Sequence, residues 1–115
     1  VIERATVRLI VLGFSQGGAT AARWSLRGKA NVDRLILWGS ALPPEIDDDE
    51  KLLAKTRQTP LTIVNGTRDR FVTEQVRERE RERLARLEIP YRELRFEGGH
   101  RLDDDTLSAI AEELS

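Results

Sequence analysis

The sequence predicts an α/β domain over residues 1–115, with a parallel sheet of about four strands and helices flanking it. Three observations predict it. Four short runs of strand character are separated by stretches of helical length. Crossovers of that size leave successive strands parallel. The first run, Thr6–Leu12, is apolar and β-branched without polar alternation, the pattern of a strand covered on both faces.

The elements follow in order. Gly13 closes the first strand, and Gln16–Leu26 reads as a helix whose small residues (Gly17, Gly18, Ala19, Ala21, Ala22) let it lie close to that strand. Arg34–Trp38 is the second strand, closed by Gly39. Ala41–Glu50, with Pro43-Pro44 and an acidic run at 47–50, reads as a loop. Lys51–Arg57 is a short helix before Pro60. Leu61–Val64 is the third strand, followed by the turn signal Asn65-Gly66. Thr73 is placed to cap a helix running to about Glu88, with Pro90 beyond its end. Tyr91–Phe96 alternates as a fourth strand, Gly98-Gly99 breaks it, and Asp104 or Asp105 is expected to cap a last helix through Leu114.

Within the third helix, Arg77–Arg83 alternates Arg and Glu without interruption. A strand of that pattern has no apolar face to bury, so the run reads as the solvated outer face of a helix. Opposite charges fall at i,i+3 and like charges at i,i+4, which partly cancels the gain of about 0.2–0.5 kcal/mol per pair. Val76, Leu84 and Leu87 supply a narrow buried edge.

Composition excludes several function classes. Nineteen basic residues against 20 acidic ones leave a net charge of −1. That balance gives no electrostatic footprint for nucleic acid. There is no Cys, hence no disulfide, thiolate metal site or cysteine nucleophile. One His makes a histidine-rich metal centre a poor expectation. No apolar run reaches the roughly 20 residues of a membrane span, and no signal pattern opens the sequence. These features fit a cytoplasmic protein. There is also no Met, and Val1 leads almost at once into a strand, so the sequence is expected to be the C-terminal portion of a longer one.

The chemistry gathers at strand ends. Gly13-Phe14-Ser15-Gln16-Gly17 is a G-x-S-x-G pentapeptide between a strand and a small-residue helix. In that setting a sharp turn lifts the serine hydroxyl above the sheet, with the free N–H groups of the helix start beside it. The motif glycines are expected to avoid Cβ clashes between strand and helix. A serine needs a base to act as a nucleophile, and the single His, His100, lies just past the fourth strand. An acid is needed to orient the imidazole. Asp69 follows the third strand, whereas Asp33, Asp47–Asp49 and Asp103–Asp105 fall where solvated carboxylates or helix caps are expected. Ser15, Asp69 and His100 therefore form the expected triad, all at the strand ends where open α/β sheets place their sites.

The hexapeptide Gly13–Gly18 resembles the signature of the phospholipase/carboxylesterase family of α/β-hydrolases, which includes bacterial carboxylesterases and acyl-protein thioesterases. Trp38–Pro43 resembles the family's strand-plus-Leu-Pro segment, Asn65–Val72 its acid-bearing loop, and Gly99-His100 its histidine loop. The order Ser, Asp, His is also the one that α/β-hydrolases use. The likeness runs from about residue 6 to the C-terminus. It implies Ser15 as nucleophile, His100 as general base and then acid, Asp69 as orienting acid, and the N–H of Gln16 as an oxyanion donor. Asn65 departs from the His more often found there, a change expected to matter little.

The family's strands before the nucleophile, and the loop giving a second oxyanion N–H, are missing from residues 1–115. Two readings follow. The leading one is a serine hydrolase of carboxylic esters, with thioesters and lysophospholipids as further substrate classes. The alternative is a non-catalytic fragment, or a subunit completed by a separate N-terminal piece. A related hydrolase of different chemistry, such as a peptidase or a haloalkane dehalogenase, is a weaker reading, and the dehalogenase needs a carboxylate where Ser15 stands. The expected partners are a small-molecule ester or acyl substrate, together with an N-terminal segment of the same protein or a second copy of the chain. No cofactor and no metal are implied. Trp24, Leu42 and Phe71 are candidates for an acyl pocket, and Trp24 fits a helix core position equally well.

Overall fold

A computed structural model describes residues 8–114. Its strands are β1 (Ile10–Phe14), β2 (Arg34–Trp38), β3 (Leu61–Gly66) and β4 (Arg92–Phe96). They form one sheet in the order β1-β2-β3-β4, every neighbouring pair parallel. Helices α1 (Gln16–Arg27), α2 (Glu50–Gln58) and α3 (Glu74–Arg86) make the crossovers, and α4 (Asp104–Leu114) follows the last strand. The expected parallel α/β sheet is thus present.

Alternation along β2 divides the core in two. Leu35 and Leu37 face α1, α2 and α3, where they pack with Ala22, Leu26, Ile63 and Leu84. Ile36 and Trp38 face the other way and join Val64, Phe96 and Ile110 of α4. β3 is buried along its whole length, as a strand with two neighbours and two covered faces must be.

Several local expectations are corrected. The expected strand at 6–12 is displaced: β1 runs on through Gly13 and Phe14, which pair with Leu37 and Trp38, while Thr6 and Val7 lie outside the described residues. Nor is β1 buried on both faces. It stands at one edge of the described sheet, and Ile10 and Leu12 remain 36% and 37% exposed. The expected loop at 41–50 contains a 3-10 helix at Pro44–Asp48 whose Ile46 is fully buried. Asn65-Gly66 is no turn but the end of β3, paired with Arg95 and Phe96. Asp103, not Asp104 or Asp105, caps α4, its Oδ2 accepting from the Thr106 N–H at 3.1 Å and from the Thr106 hydroxyl at 2.6 Å. The carboxylate one residue earlier reaches the free N–H groups of the first turn. Among the described residues no helix is long and apolar enough to cross a membrane.

Thr73 caps α3 as expected, accepting from Val76 N–H. The helix ends short of Glu88, which takes φ 55°. Ile89 N–H donates to Leu84 O at 2.9 Å and Glu88 N–H to Ala85 O at 3.1 Å, the paired bonds of a Schellman ending. Its left-handed position suits glycine, so Glu88→Gly is expected to stabilise the fold by about 0.5–1 kcal/mol. Urea unfolding checks this: an unchanged or lowered midpoint would contradict it.

Candidate active site

Ser15 occupies the link between β1 and α1 at φ 56°, ψ −124°, a conformation that costs a non-glycine residue roughly 1–3 kcal/mol. Two bonds hold it there: Ser15 N–H donates to Trp38 O at 2.9 Å, and Gly18 N–H donates to Ser15 O at 2.9 Å. A serine at a helix start ordinarily caps the helix with its hydroxyl. Here no side-chain cap forms, and the hydroxyl lies 2.8 Å from His100 Nε2 instead. Gln16 is the first residue of α1, so its N–H has no acceptor within the helix and stays available beside Ser15.

The two motif glycines differ in what they do. A Cβ on Gly13 would stand 2.6 Å from both Gly17 O and Gly18 Cα, backbone atoms that cannot step aside, whereas on Gly17 it meets nothing within 4 Å. The expectation that both avoid clashes therefore holds for Gly13 alone. Gly18 takes the other role, since a Cβ there would run into Ser40. Gly13→Ala is expected to destabilise the protein by about 1–3 kcal/mol and Gly17→Ala by less than about 0.5 kcal/mol, as an open surface site. Equal losses in urea unfolding of the two variants would contradict this.

His100 sits in the loop after β4. Trp38 Nε1–H donates to Arg101 O at 2.8 Å, and Arg68 N–H donates to Gly98 O at 2.8 Å, tying that loop to β2 and to the loop after β3. Gly39 forms the floor under the ring. It has φ 61°, and a Cβ there would lie 2.9 Å from His100 Cε1 and 3.1 Å from Nδ1. The rings of Phe14 and Phe71 both lie tilted against the imidazole, with centroids 5.0 and 4.8 Å away.

Asp69 Oδ2 lies 2.7 Å from His100 Nδ1. Its other oxygen accepts from the N–H groups of Phe71 at 2.7 Å and Val72 at 2.9 Å. The side chain is 1% exposed. Burial by itself pushes the Asp69 carboxyl up, but the bonds from Val72 N–H, His100 and Phe71 N–H outweigh burial and hold it below the ordinary carboxylate value. An ionised Asp69 accepts a hydrogen bond from Nδ1–H, which leaves Nε2 free to accept one from the serine hydroxyl. This tautomer follows from the hydrogen-bond network. The arrangement has the parts of a nucleophile, a base and an orienting acid in series.

The structure brings Ser15, His100 and Asp69 into contact and places Gln16 N–H at the helix start beside them. Of the candidate pocket residues, Leu42 is buried in the main core, 3% exposed, and Trp24 is 52% exposed, so it occupies no core position. Phe71 is 74% exposed and lies tilted against the imidazole. Sequence reasoning missed Phe14 and Gly39, which touch the imidazole. Both carried a weak signal, as the variable position of the motif and as a glycine closing a strand.

The model of the phospholipase/carboxylesterase family matches residues 3–115. Among solved structures, the chain is similar to an acyl-protein thioesterase 2 of Zea mays, with 20% identity and a TM-score of 0.73 over 97% of this chain and 57% of that one. It is also similar to esterase PE8, with 27% identity and a TM-score of 0.66 over 91% of this chain and 48% of that one. An S-formylglutathione hydrolase from Staphylococcus aureus shows 18% identity and a TM-score of 0.61 over 91% and 48%. The chain thus spans about half the length of the solved structures it matches. No curated protein sequence matches it.

Proposed function

The chain belongs to the phospholipase/carboxylesterase family of α/β-hydrolases, and from that premise we propose that it carries the triad of a carboxylic ester hydrolase. The observation that supports this reading best is the continuous series Ser15 Oγ, His100 Nε2, His100 Nδ1, Asp69 Oδ2, with links of 2.8 and 2.7 Å. Such a series also favours the catalytic reading over a non-catalytic one, since Ser15 gives up both an easy backbone conformation and a helix cap to make it.

Ser15 Oγ attacks the acyl carbonyl while His100 Nε2 takes its proton. The carbonyl oxygen gains charge as the tetrahedral intermediate forms, and Gln16 N–H donates to it at the positive end of α1. The imidazolium is stabilised by Asp69, which stays ionised. His100 then protonates the departing alcohol, and the acyl group remains on Ser15. Water attacks that acyl-enzyme with His100 again as base, releasing the acid and restoring the serine. Thioesters follow the same course with a thiol leaving, and lysophospholipids present the same ester bond. A series of p-nitrophenyl esters of rising acyl length tests the reading on the full-length protein. Serine-dependent turnover with a chain-length optimum supports it, and no turnover of any ester or thioester would overturn it.

A further inference from the structure

The alternating run Arg77–Arg83 is only in part the solvated face its sequence implies: Glu78, Arg79 and Glu82 are exposed, but Arg77 is not. Arg77 is 4% exposed. Its Nη1 donates to Gly66 O at 3.1 Å and to Val72 O at 3.0 Å. Those two carbonyls stand at the two ends of the segment that carries Asp69. Its Nη2 pairs with Glu74, which also accepts from Arg81 and Arg95. One guanidinium therefore bridges the end of β3, the start of the α3 approach and the first turn of α3.

Burying a guanidinium costs several kcal/mol unless its donors are met, and the buried Nε of Arg77 has no partner among the described residues, so a buried arginine at this place calls for an explanation beyond solubility. Glu80 and Arg83 of the same run are anchored too, but elsewhere: Glu80 accepts from Leu42 N–H, and Arg83 donates to the Leu42 and Pro43 carbonyls. Of the three, Arg77 is the one bonded to the acid loop, which Thr67 and Arg68 N–H also tie to Phe96 O and Gly98 O. Val72, whose carbonyl it grips, gives its own N–H to Asp69 Oδ1 at 2.9 Å. Both groups belong to one residue, so a displacement of Val72 as a whole moves the N–H that Asp69 accepts from.

We propose that Arg77 is a positioning residue for the Ser15–His100–Asp69 series, its Nη1 setting the shape of residues 66–72, and thereby the aim of the Asp69 carboxylate, while Nη2 is anchored on Glu74. It touches no reacting atom and acts through Asp69. The proposal rests on the triad reading above. Geometry makes arginine specific here, since a lysine ammonium is a single point donor, whereas Arg77 reaches the two carbonyls with Nη1 and Glu74 with Nη2.

The test uses the full-length protein with a soluble ester. Arg77→Ala is expected to lower kcat by about 10–100-fold, the scale of a misplaced or unsupported catalytic group, with KM changed by less than about threefold. Arg77→Lys recovers only part of that loss. Arg77 also lines a cavity of about 80 Å³ between α3 and the sheet, together with Asn65, Val76 and Tyr91. Guanidinium chloride, kept below denaturing concentration, is therefore expected to restore kcat of Arg77→Ala at least fivefold, with sodium chloride at equal ionic strength doing nothing. Arg79→Ala, at an exposed position of the same helix, leaves kcat unchanged. A folded Arg77→Ala protein with wild-type kcat would overturn the proposal. So would a loss that tracks global unfolding and shows no guanidinium rescue. If Ser15→Ala retains the wild-type rate, the triad reading itself fails, and that result is separate from either outcome at Arg77.

Discussion

Ser15→Ala is expected to lower kcat for p-nitrophenyl acetate hydrolysis by the full-length protein on the order of 10⁶-fold, with little change in KM or stability. The expectation follows from what the hydroxyl does. It lies 2.8 Å from His100 Nε2 and makes no capping bond to α1, so its removal takes away the nucleophile and one hydrogen bond to the imidazole. Alanine relieves none of the backbone strain at φ 56°, because it carries the same Cβ. Folding stability should therefore move by no more than about 1 kcal/mol. Residual turnover is expected to resemble oxyanion binding alone, and it should not respond to further loss of His100. A variant retaining more than a hundredth of the wild-type rate would contradict the assignment.

Asp69→Asn is the second large effect, expected on the order of 10⁴-fold in kcat. The amide keeps the shape of the carboxylate, and its oxygen can still accept from Phe71 and Val72 N–H. The position facing Nδ1 then carries an NH₂ group, which forces the imidazole to place its proton on Nε2 and so to donate toward Ser15 Oγ. The base is lost through the wrong tautomer, although no reacting atom has changed. The same substitution has a signature in stability. Asp69 is held below its ordinary value of 3.8 in the folded chain, so its contribution is complete above that value. It is lost as pH falls through the lowered folded value. Asp69→Asn should abolish that part of the acid-side loss. Urea midpoints between pH 5 and pH 2 measure it, and parallel curves for the two proteins would contradict the sign.

Much of this site is legible in the sequence, and the reasons are local. Ser15 is marked by a motif whose strand–turn–helix context spans only a few residues, and His100 by being the single histidine. Asp69 is set apart by its place at a strand end, the other aspartates falling at helix starts or in solvated loops. β2 is marked by the unbroken apolar run Leu35–Trp38, which makes up all of it but Arg34. What is not legible depends on contacts between distant segments. Gly39 matters because a ring 61 residues away rests on it, and no turn pattern around it says so. The 3-10 helix at Pro44–Asp48 hides in a polar loop because a single apolar residue, Ile46, anchors it. Arg77 is the plainest case. Helical periodicity sees a charged face, while burial is decided by two carbonyls that the fold turns toward it.

The two-faced core also explains why the strand ends, not the strands, carry the site. Leu37, Trp38, Ile63 and Val64 are nearly fully buried and fix the sheet. Phe14, Gly39, Asp69 and His100 gather where β1, β2, β3 and β4 each release the chain at the same edge. Rigid strands thus hold the ends of loops whose side chains must meet within hydrogen-bond distance.

A fluorophosphonate probe reports on the central claim most directly, because it reacts only with a serine made nucleophilic by its base. Incubation of the full-length protein with the probe, followed by peptide mass spectrometry, is expected to yield one adduct per chain, on Ser15, that is lost in the His100→Ala variant. An unlabelled protein, or a label carried on another serine, would contradict the triad.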